Sequence, residues 1–260
     1  MKDEPAKQAK PKIFVLIDGK SLFYRGYYAM PHLSTADGRP TGGVYGFASL
    51  ALELVRQLRP DYVAVAWDKA KTNIRRRRAI YPEYKANRHP APPDFYQQIP
   101  ILRQLLEALG WPFYEVDDYE ADDIIGTLSK RANRIGIHTV IASSDLDMLQ
   151  LIDDDTEVYA LKKGLSSIDR FDVKAFQAKY GIRVDQFLDL KSLKGDSSDN
   201  IPGVPGVGEK TAVALLQKYH DLDGVYAHLD EITGAAQRRL ADGKASAYMS
   251  RELVQIQCDA

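Results

Sequence analysis

Apolar residues along the chain form short continuous runs that alternate with longer stretches of helical spacing. Four short runs are apolar at nearly every position: 12–17, 62–67, 112–116 and 138–142. Such runs predict strands that are buried on both faces. Between them, the apolar residues of 44–58 and of 98–109 each form one stripe, which predicts helices. We therefore predict an α/β fold with a mostly parallel central sheet flanked by helices.

The segment 69–93 interrupts this rhythm because it is long, basic and closed by prolines. An insertion of this size between core elements is usually functional or disordered. Within it, Pro82 suits the first turn of a short helix on which Lys85 and Arg88 would share a face. After about residue 165, helices are predicted at 172–180, 184–193, 208–219, 222–229 and 244–256. We divide the chain into a disordered lead-in, an α/β core and a helical C-terminal region: 1–11, 12–193 and 194–260.

The 260 residues carry a formal net charge of −1, so the total charge identifies no partner. The distribution is more informative, because basic residues crowd into 69–88 and acids into 117–123, 145–155 and 196–199. Such segregation is typical of a nucleic-acid surface. The single cysteine, Cys258, excludes a disulfide within the chain and a cysteine-based zinc site. Neither a membrane span nor a signal peptide is visible, so we expect a cytoplasmic protein without membrane contact.

Acids follow the ends of the predicted strands: Asp18, Asp68, Asp117 with Asp118, and Asp145. The carboxyl ends of parallel strands lie along one edge, where open α/β sheets bind ligands. Further acids come within the next few residues: Glu120, Asp122, Asp123 and Asp147. Helix capping is the alternative, but it accounts for only one acid per helix. We therefore expect at least one of these acids to be only a cap and the others to form a cleft.

A cleft of this kind is costly without cations. Two carboxylates about 4 Å apart repel by roughly 4 kcal/mol at an effective dielectric of about 20. Several such pairs would rival the stability of a whole domain, about 5–15 kcal/mol. Either some acids are protonated or cations occupy the cleft. All-oxygen ligands suit Mg²⁺ or Mn²⁺, and the number of acids predicts two or more ions, which can hydrolyse a phosphodiester.

The basic insertion and a glycine-rich stretch are candidates for phosphate binding. In the insertion, Tyr81 and Tyr84 interleave with the charges and could stack on unpaired bases, whereas a solvated helical face is the alternative. The stretch 203–211 approaches a nucleotide-binding P-loop, but Glu209 breaks the pattern and no strand precedes it. We predict instead a helix–hairpin–helix turn, in which a helix from Gly208 directs backbone N–H groups at a DNA phosphate.

Several segments together resemble the 5′ nuclease (flap endonuclease) family, and most closely the 5′–3′ exonuclease domains of bacterial DNA polymerases. They are IDGKSLFYRGYYAM (17–30), TGGVYGF (41–47), YPEYKANR (81–88), YEADDIIGTL (119–128), SSDLDMLQL (143–151) and GDSSDNIPGVPGVGEKTA (195–212). The resemblance covers about 12–260. It implies a PIN-like core with a helical arch at about 69–93 and a C-terminal helix–hairpin–helix region.

The resemblance also implies roles for individual residues. The acids near a first metal are Asp18, Asp68, Glu120, Asp122 and Asp123, and those near a second are Asp145, Asp147, Asp196 and Asp199. Lys85 and Arg88 match arch residues that reach the scissile phosphate, with Asp68 as the central catalytic acid. The expected DNA-binding set also includes Gly42, Gly43, Arg75, Arg76, Tyr84, Gly203, Val204, Gly206, Gly208, Lys210 and Thr211. A potassium ion at the helix–hairpin–helix accompanies this turn in the family.

Two positions depart from the family pattern. Lys20 stands where a small polar residue is usual, and Leu146 stands where bacterial members usually have lysine. We hypothesise that Lys20 supplies the missing cation near the metals.

The expected activity is cleavage of DNA at 5′ flaps and 5′ ends in replication and repair. A catalytically weak DNA-junction binding module and a PIN-like ribonuclease are the alternatives, although the first would have lost acids and the second usually lacks the helix–hairpin–helix. We expect a monomer in the bacterial nucleoid that binds DNA, either free-standing or fused to a DNA polymerase.

Overall fold

The computed structural model describes residues 10–162 and 168–260. Most of the predicted lead-in, 1–9, lies outside the described residues, so its predicted disorder stays a prediction. Within the described residues, the strands form one sheet in the order β3-β2-β1-β4-β5-β6. Their bounds are Ile13–Asp18 (β1), Tyr62–Ala66 (β2), Phe113–Tyr114 (β3), His138–Ser143 (β4), Thr156–Leu161 (β5) and Ile168–Phe171 (β6).

The mostly parallel sheet is confirmed, because β1 to β5 pair in parallel and only β6 runs antiparallel, against β5. The four predicted strands correspond to β1 to β4. β5 and β6 were not predicted. In β5, a polar residue begins the strand and Glu157 follows, so the run lacks the continuous apolar character of a strand buried on both faces.

Helices cover both faces of the sheet. Their bounds are Gly19–Ala29 (α1), Gly42–Leu58 (α2), Arg75–Ile80 (α3), Pro93–Gln97 (α4), Ile99–Ala108 (α5), Ala121–Asn133 (α6), Val173–Tyr180 (α7), Phe187–Lys194 (α8), Glu209–Tyr219 (α9), Leu222–Ala227 (α10) and Gly234–Val254 (α11). Alternate residues of each strand face opposite sides. Val15 and Ile17 of β1 belong to a buried cluster with residues of α1 and α2, whereas Leu16 belongs to another cluster with residues of α6 and the C-terminal helices.

Helices α1 and α2 approach each other closely at Gly26 and Gly46. A Cβ atom added to Gly46 would lie 2.2 Å from the Gly26 Cα atom, so neither position has room for a side chain. This contact holds α1 rigidly behind the end of β1, from which Asp18 projects.

The short helix predicted from Pro82 is wrong. The helix of the insertion lies earlier, at α3, and 82–87 form turns. Lys85 adopts a left-handed φ of 54°, and its backbone N–H donates to the Asp199 carbonyl oxygen at 2.9 Å instead of to a carbonyl one turn earlier. This hydrogen bond attaches the insertion to the C-terminal region at Lys85.

The C-terminal helices are continuous with the core. Leu240 and Ala247 of α11 belong to the same buried cluster as Ile124 of α6 and Ile141 of β4. Helix α11 starts at Gly234, ten residues before the start that apolar spacing predicted, because its solvent-facing first half carries few apolar residues. No helix in the described ranges is long and apolar enough to cross a membrane.

Candidate active site

A cavity of about 840 Å³ opens along the carboxyl edge of the sheet. Among the residues that line it are the acids Asp18, Asp68, Glu120, Asp122, Asp145, Asp147 and Asp196. The basic residues that line it are Lys20, Arg25, Lys85, Arg88 and Lys191. The structure therefore brings most of the expected acids together, with Lys85 and Arg88 beside them.

Two of these acids are fixed by helix starts. Asp18 ends β1 and caps α1, since its Oδ1 accepts from the Ser21 N–H at 3.1 Å and its Oδ2 from the Ser143 hydroxyl at 2.6 Å. Asp68 follows β2, and its Oδ1 accepts from the N–H of Ala121, the first residue of α6, at 2.9 Å. Both carboxylates are thus oriented by the backbone that follows a strand.

Asp123 does not line the cavity. Its expected part in binding a metal is not tested and stays a prediction. Its Oδ2 accepts from the Glu120 N–H at 3.0 Å and forms a capping box with that residue. The Arg77 guanidinium binds both carboxylate oxygens, at 2.7 and 2.8 Å, and the Gln257 N–H donates to Oδ1 at 2.9 Å. Because every lone-pair direction is engaged in a site that is 1% exposed, Asp123 is the expected cap.

Basic side chains pair with the acids of the cavity. Lys20 Nζ lies 3.1 Å from Asp68 Oδ2. Lys191 Nζ lies 2.5 Å from Asp147 Oδ1 and also contacts Asp196. Within 10–162 and 168–260, no three Asp, Glu, His or Cys side chains are already arranged to hold a metal ion.

Asp199 lies next to the cavity rather than among the residues that line it. Its carboxylate pairs with Arg88 and lies 3.5 Å from Lys85 Nζ, and Lys85 also contacts Glu120. Lys85 is 9% exposed at its side chain, whereas Arg88 is 45% exposed. The two cations therefore meet at one acid, although the helix on which they were expected to share a face is absent.

Burial raises the pKa values of several acids in the cavity. Burial, with repulsion from neighbouring carboxylates, raises the pKa of Asp18 to about 6. The same two causes raise the pKa of Asp147 to about 6 and that of Asp122 well above its usual range. At Asp196 burial is outweighed by hydrogen bonds from Lys191 and Ser198, and the pKa falls to about 2. A site whose acids resist ionisation in this way fits divalent cations with all-oxygen ligands.

With metal chelated, the free energy of unfolding is expected to fall as the pH rises from about 5 to about 8. The pKa values of Asp18 and Asp147 are raised to about 6 in the fold. Their stabilising contribution is therefore fully present below the unfolded value of about 4 and is lost as the pH rises through about 6. Each group contributes on the order of 2 kcal/mol.

Urea unfolding in EDTA across this pH range measures the effect. Asp18→Asn keeps the helix cap and should flatten the curve, and Mg²⁺ should restore stability to the unsubstituted protein at pH 8. Stability in EDTA that rises steadily from pH 5 to pH 8 would contradict the expectation.

Other residues of the basic insertion are used within the protein. Arg75 pairs with Asp118 at 2.7 Å, and Arg76 lies over the Tyr119 ring at 5.6 Å. Tyr84 is 3% exposed, and its hydroxyl donates to Glu120 at 2.8 Å. The ring is therefore enclosed in the protein, and its expected stacking on DNA bases is not tested and stays a prediction.

The glycine-rich turn has a buried part and an exposed part. Gly203 and Val204 are buried. Their expected contact with DNA is not tested and stays a prediction. An added Cβ at Gly203, where φ is 59°, would lie 2.2 Å from the Gly195 nitrogen. Gly206, Gly208, Lys210 and Thr211 are exposed, and α9 begins after Gly208 without a side-chain cap. The start of α9 therefore presents uncapped N–H groups to solvent.

Gly42 and Gly43 at the start of α2 are explained by packing. An added Cβ at Gly42 would lie 2.0 Å from the Met30 carbonyl oxygen, and at Gly43 it would lie 2.6 Å from the Phe23 ring. The Gly43 N–H already donates to Gln98 Oε1 at 2.8 Å. Their expected contact with DNA is not tested and stays a prediction.

Sequence reasoning missed Lys191 and Arg77. Lys191 lies in a predicted helix with no local sign that it bridges Asp147 and Asp196. Arg77 is one of four consecutive arginines, of which it alone is buried. In a run of identical residues, helical spacing alone does not show which side chain is buried, because this depends on where the rest of the protein packs against the helix.

The family comparison agrees with the fold and the edge site. Residues 13–181 match the model of the 5′-3′ exonuclease N-terminal resolvase-like domain, and 182–260 match the 5′-3′ exonuclease C-terminal SAM fold. The chain therefore belongs to the 5′–3′ exonuclease family.

Curated relatives support this assignment. DNA polymerase I of Bacillus subtilis is 42% identical over 250 residues, which is 96% of this chain and 28% of that protein. DNA polymerase I of Mycobacterium bovis is 39% identical over 251 residues, 96% of this chain and 27% of that protein. The chain thus spans under a third of the length of these relatives.

The solved structures share the fold at low identity. A bacteriophage T5 5′-exonuclease with bound divalent metal ions has a TM-score of 0.75 at 21% identity, covering 94% of this chain and 89% of that chain. The catalytic core of Rad2, in complex with a DNA substrate, has a TM-score of 0.59 at 14% identity, covering 96% and 81%.

Proposed function

We propose that the protein is a structure-specific 5′ nuclease that hydrolyses DNA phosphodiesters at 5′ flaps and 5′ ends. The observation that carries this proposal is the cavity in which acids from the strand ends face Lys85 and Arg88. Acids that can hold metal beside cations that can hold phosphate are what phosphodiester hydrolysis requires. Family membership and the DNA complex of the Rad2 core support the choice of substrate.

We propose that two Mg²⁺ or Mn²⁺ ions bind in the cavity. Asp18, Asp68, Glu120 and Asp122 would hold the first ion. Asp145, Asp147, Asp196 and Asp199 would hold the second. Asp123 is left out, because its oxygens are engaged by Arg77 and backbone N–H groups. When bound, such ions polarise a phosphodiester and supply hydroxide near neutral pH.

The cations of the insertion bind and orient the phosphate in this proposal. Arg88 is half exposed and paired with Asp199, so it can exchange that carboxylate for a phosphate oxygen. Lys85 is held in place by Glu120 and Asp199 and adds a fixed positive charge beside it. The segment 69–93 would then act as the arch along which a single-stranded 5′ end passes.

The start of α9 would hold the duplex. Its uncapped N–H groups after Gly208, with Lys210 and Thr211 exposed beside them, suit one DNA phosphate without reading sequence. We also propose that K⁺ binds at this turn. In this proposal the core at 12–193, with the arch, cleaves the strand, and the helix–hairpin–helix region at 194–260 holds the duplex.

We infer further that the protein acts as a monomer in the cytoplasm, on the bacterial nucleoid, in replication and repair. The DNA polymerase I relatives support work with a polymerase or fusion to one.

A single-turnover assay tests the proposed function. A duplex with a 5′-labelled DNA flap should release a short labelled product near the junction in Mg²⁺ and none in EDTA. A matched duplex with an RNA flap should be cut more slowly. Tight binding without cleavage in Mg²⁺ or Mn²⁺ would refute the nuclease proposal, and preference for the RNA flap would indicate a ribonuclease.

A further inference from the structure

A second cavity, of about 480 Å³, adjoins the acidic one. The residues common to both linings are Lys20, Tyr24, Asp68, Lys85, Arg88 and Glu120. We call this shared wall the neck. The second cavity adds Arg78 and His89 but no acid beyond Asp68 and Glu120, so positive charge prevails on that side. The neck therefore separates a region suited to metal from a region suited to phosphate.

The three cations of the neck differ in how firmly they are held. Lys85 is almost fully buried between Glu120 and Asp199. Lys20 is 36% exposed at its side chain, and its Nζ pairs with Asp68 Oδ2 at 3.1 Å. Because Lys20 lies in the first turn of α1 and ends in a flexible four-carbon stem, its ammonium can leave Asp68 without any change in the backbone.

The Lys20 ammonium occupies the part of Asp68 that a divalent ion would use. Asp68 Oδ1 is fixed by the Ala121 N–H at 2.9 Å, which leaves Oδ2 as the oxygen that Lys20 contacts. A divalent ion bound to that carboxylate would neutralise it and repel the ammonium. Lys20 would then be an unpaired cation at the wall of the positively charged cavity.

We propose that Lys20 is a resident counter-ion of Asp68 that a divalent cation displaces, and that the displaced ammonium then binds a phosphate of the 5′ strand at the neck. This inference rests on the proposed function. It couples metal binding to DNA binding, because the Lys20 ammonium that the metal releases from Asp68 becomes a phosphate ligand. Lys20 thus neutralises Asp68 before metal binds and contacts the DNA substrate afterwards.

The first test uses the protein without DNA. Lys20→Met keeps most of the apolar stem and removes the charge, so calorimetric titration with Mg²⁺ should show binding about threefold to fivefold tighter than in the unsubstituted protein. Lys130→Met is the matched control. Lys130 is also 36% exposed and pairs with an aspartate, Asp153, at 2.6 Å, but it lines neither cavity. The control should leave the Mg²⁺ affinity unchanged.

The second test measures how DNA binding depends on salt. In Ca²⁺, with the absence of cleavage checked on the same samples, Lys20→Met should lower the slope of log affinity against log salt by about one phosphate contact. In EDTA the slope should not change, because Lys20 is then paired with Asp68. Lys20→Arg should retain the slope in Ca²⁺. A residue that only supports the fold would change neither slope selectively.

Unchanged Mg²⁺ affinity in Lys20→Met would overturn the displacement, and a slope equal to that of the unsubstituted protein in Ca²⁺ would overturn the phosphate contact. Each outcome is separate from failure of the proposed function. A chain that cannot cut a DNA flap would refute the nuclease proposal, whereas the DNA-free titration would still report whether Lys20 competes with metal.

Discussion

Arg77→Met is expected to lower the free energy of unfolding by about 3–5 kcal/mol, the range for removing one partner of a buried ion pair. The Arg77 side chain is 7% exposed and lies 2.9 Å from Glu120 Oε2 and 2.7 Å from Asp123 Oδ2. Its Nε also donates to the Leu253 carbonyl oxygen at 2.9 Å. Methionine would remove the cation paired with Asp123 and one of the two cations paired with Glu120. It would also remove the Arg77 donor from the carbonyl oxygens of Leu253 and Gln255.

Urea denaturation measures this prediction, with the slope against urea checked for equality between variants. Arg76→Met is the matched control, because the adjacent arginine is exposed and should change stability by no more than about 0.5 kcal/mol. Adding Asp123→Asn to Arg77→Met should recover part of the loss, since it removes the buried carboxylate charge that Arg77 neutralises. Equal stability of the Arg77 and Arg76 variants would show that the buried pairing adds nothing.

Asp68→Asn is expected to slow single-turnover cleavage of a 5′ flap by at least about a hundredfold. The substitution removes the charge that the proposed metal needs, while the amide oxygen can still accept from the Ala121 N–H. The fold should therefore persist while the chemistry is lost.

Asp117→Asn is the control for this experiment. Asp117 also follows a strand of the sheet, but it is half exposed, pairs with Lys69 and lies outside both cavities. Its rate should stay within about twofold, as expected for a surface pair. Comparable loss in both variants would mean that acidity along the sheet edge, and not the cavity at Asp68, supports cleavage.

The acids at the carboxyl edge of the sheet could be predicted from the sequence by combining two simple rules. Continuous apolar runs mark the strands, and the parallel arrangement then brings Asp18, Asp68 and Asp145 to the same side. Asp196 could be assigned to this site only from the family resemblance. It lies in a turn after α8, and no hydrophobic periodicity predicts that this turn lies next to the sheet. Its place depends on how the C-terminal helices pack.

Pairing across the fold was beyond prediction from the sequence. Lys191 reaches Asp147, 44 positions earlier, and Arg77 reaches the carbonyl oxygen of Leu253. Asp123 is different, because its spacing of three residues from Glu120 is that of a capping box and was readable in advance. Because other acids lie close to Asp123 in the sequence, a role as a metal ligand was as reasonable a prediction as a role in a capping box.

The shared buried cluster has a consequence for how the protein folds. The segments matching the two family models, 13–181 and 182–260, contribute to one hydrophobic core, and Arg77 fastens the last turn of α11 to the start of α6. Separating the chain between them would expose apolar faces on both pieces. We therefore expect that neither piece folds on its own, and that the protein unfolds in a single cooperative transition without earlier loss of its C-terminal helices.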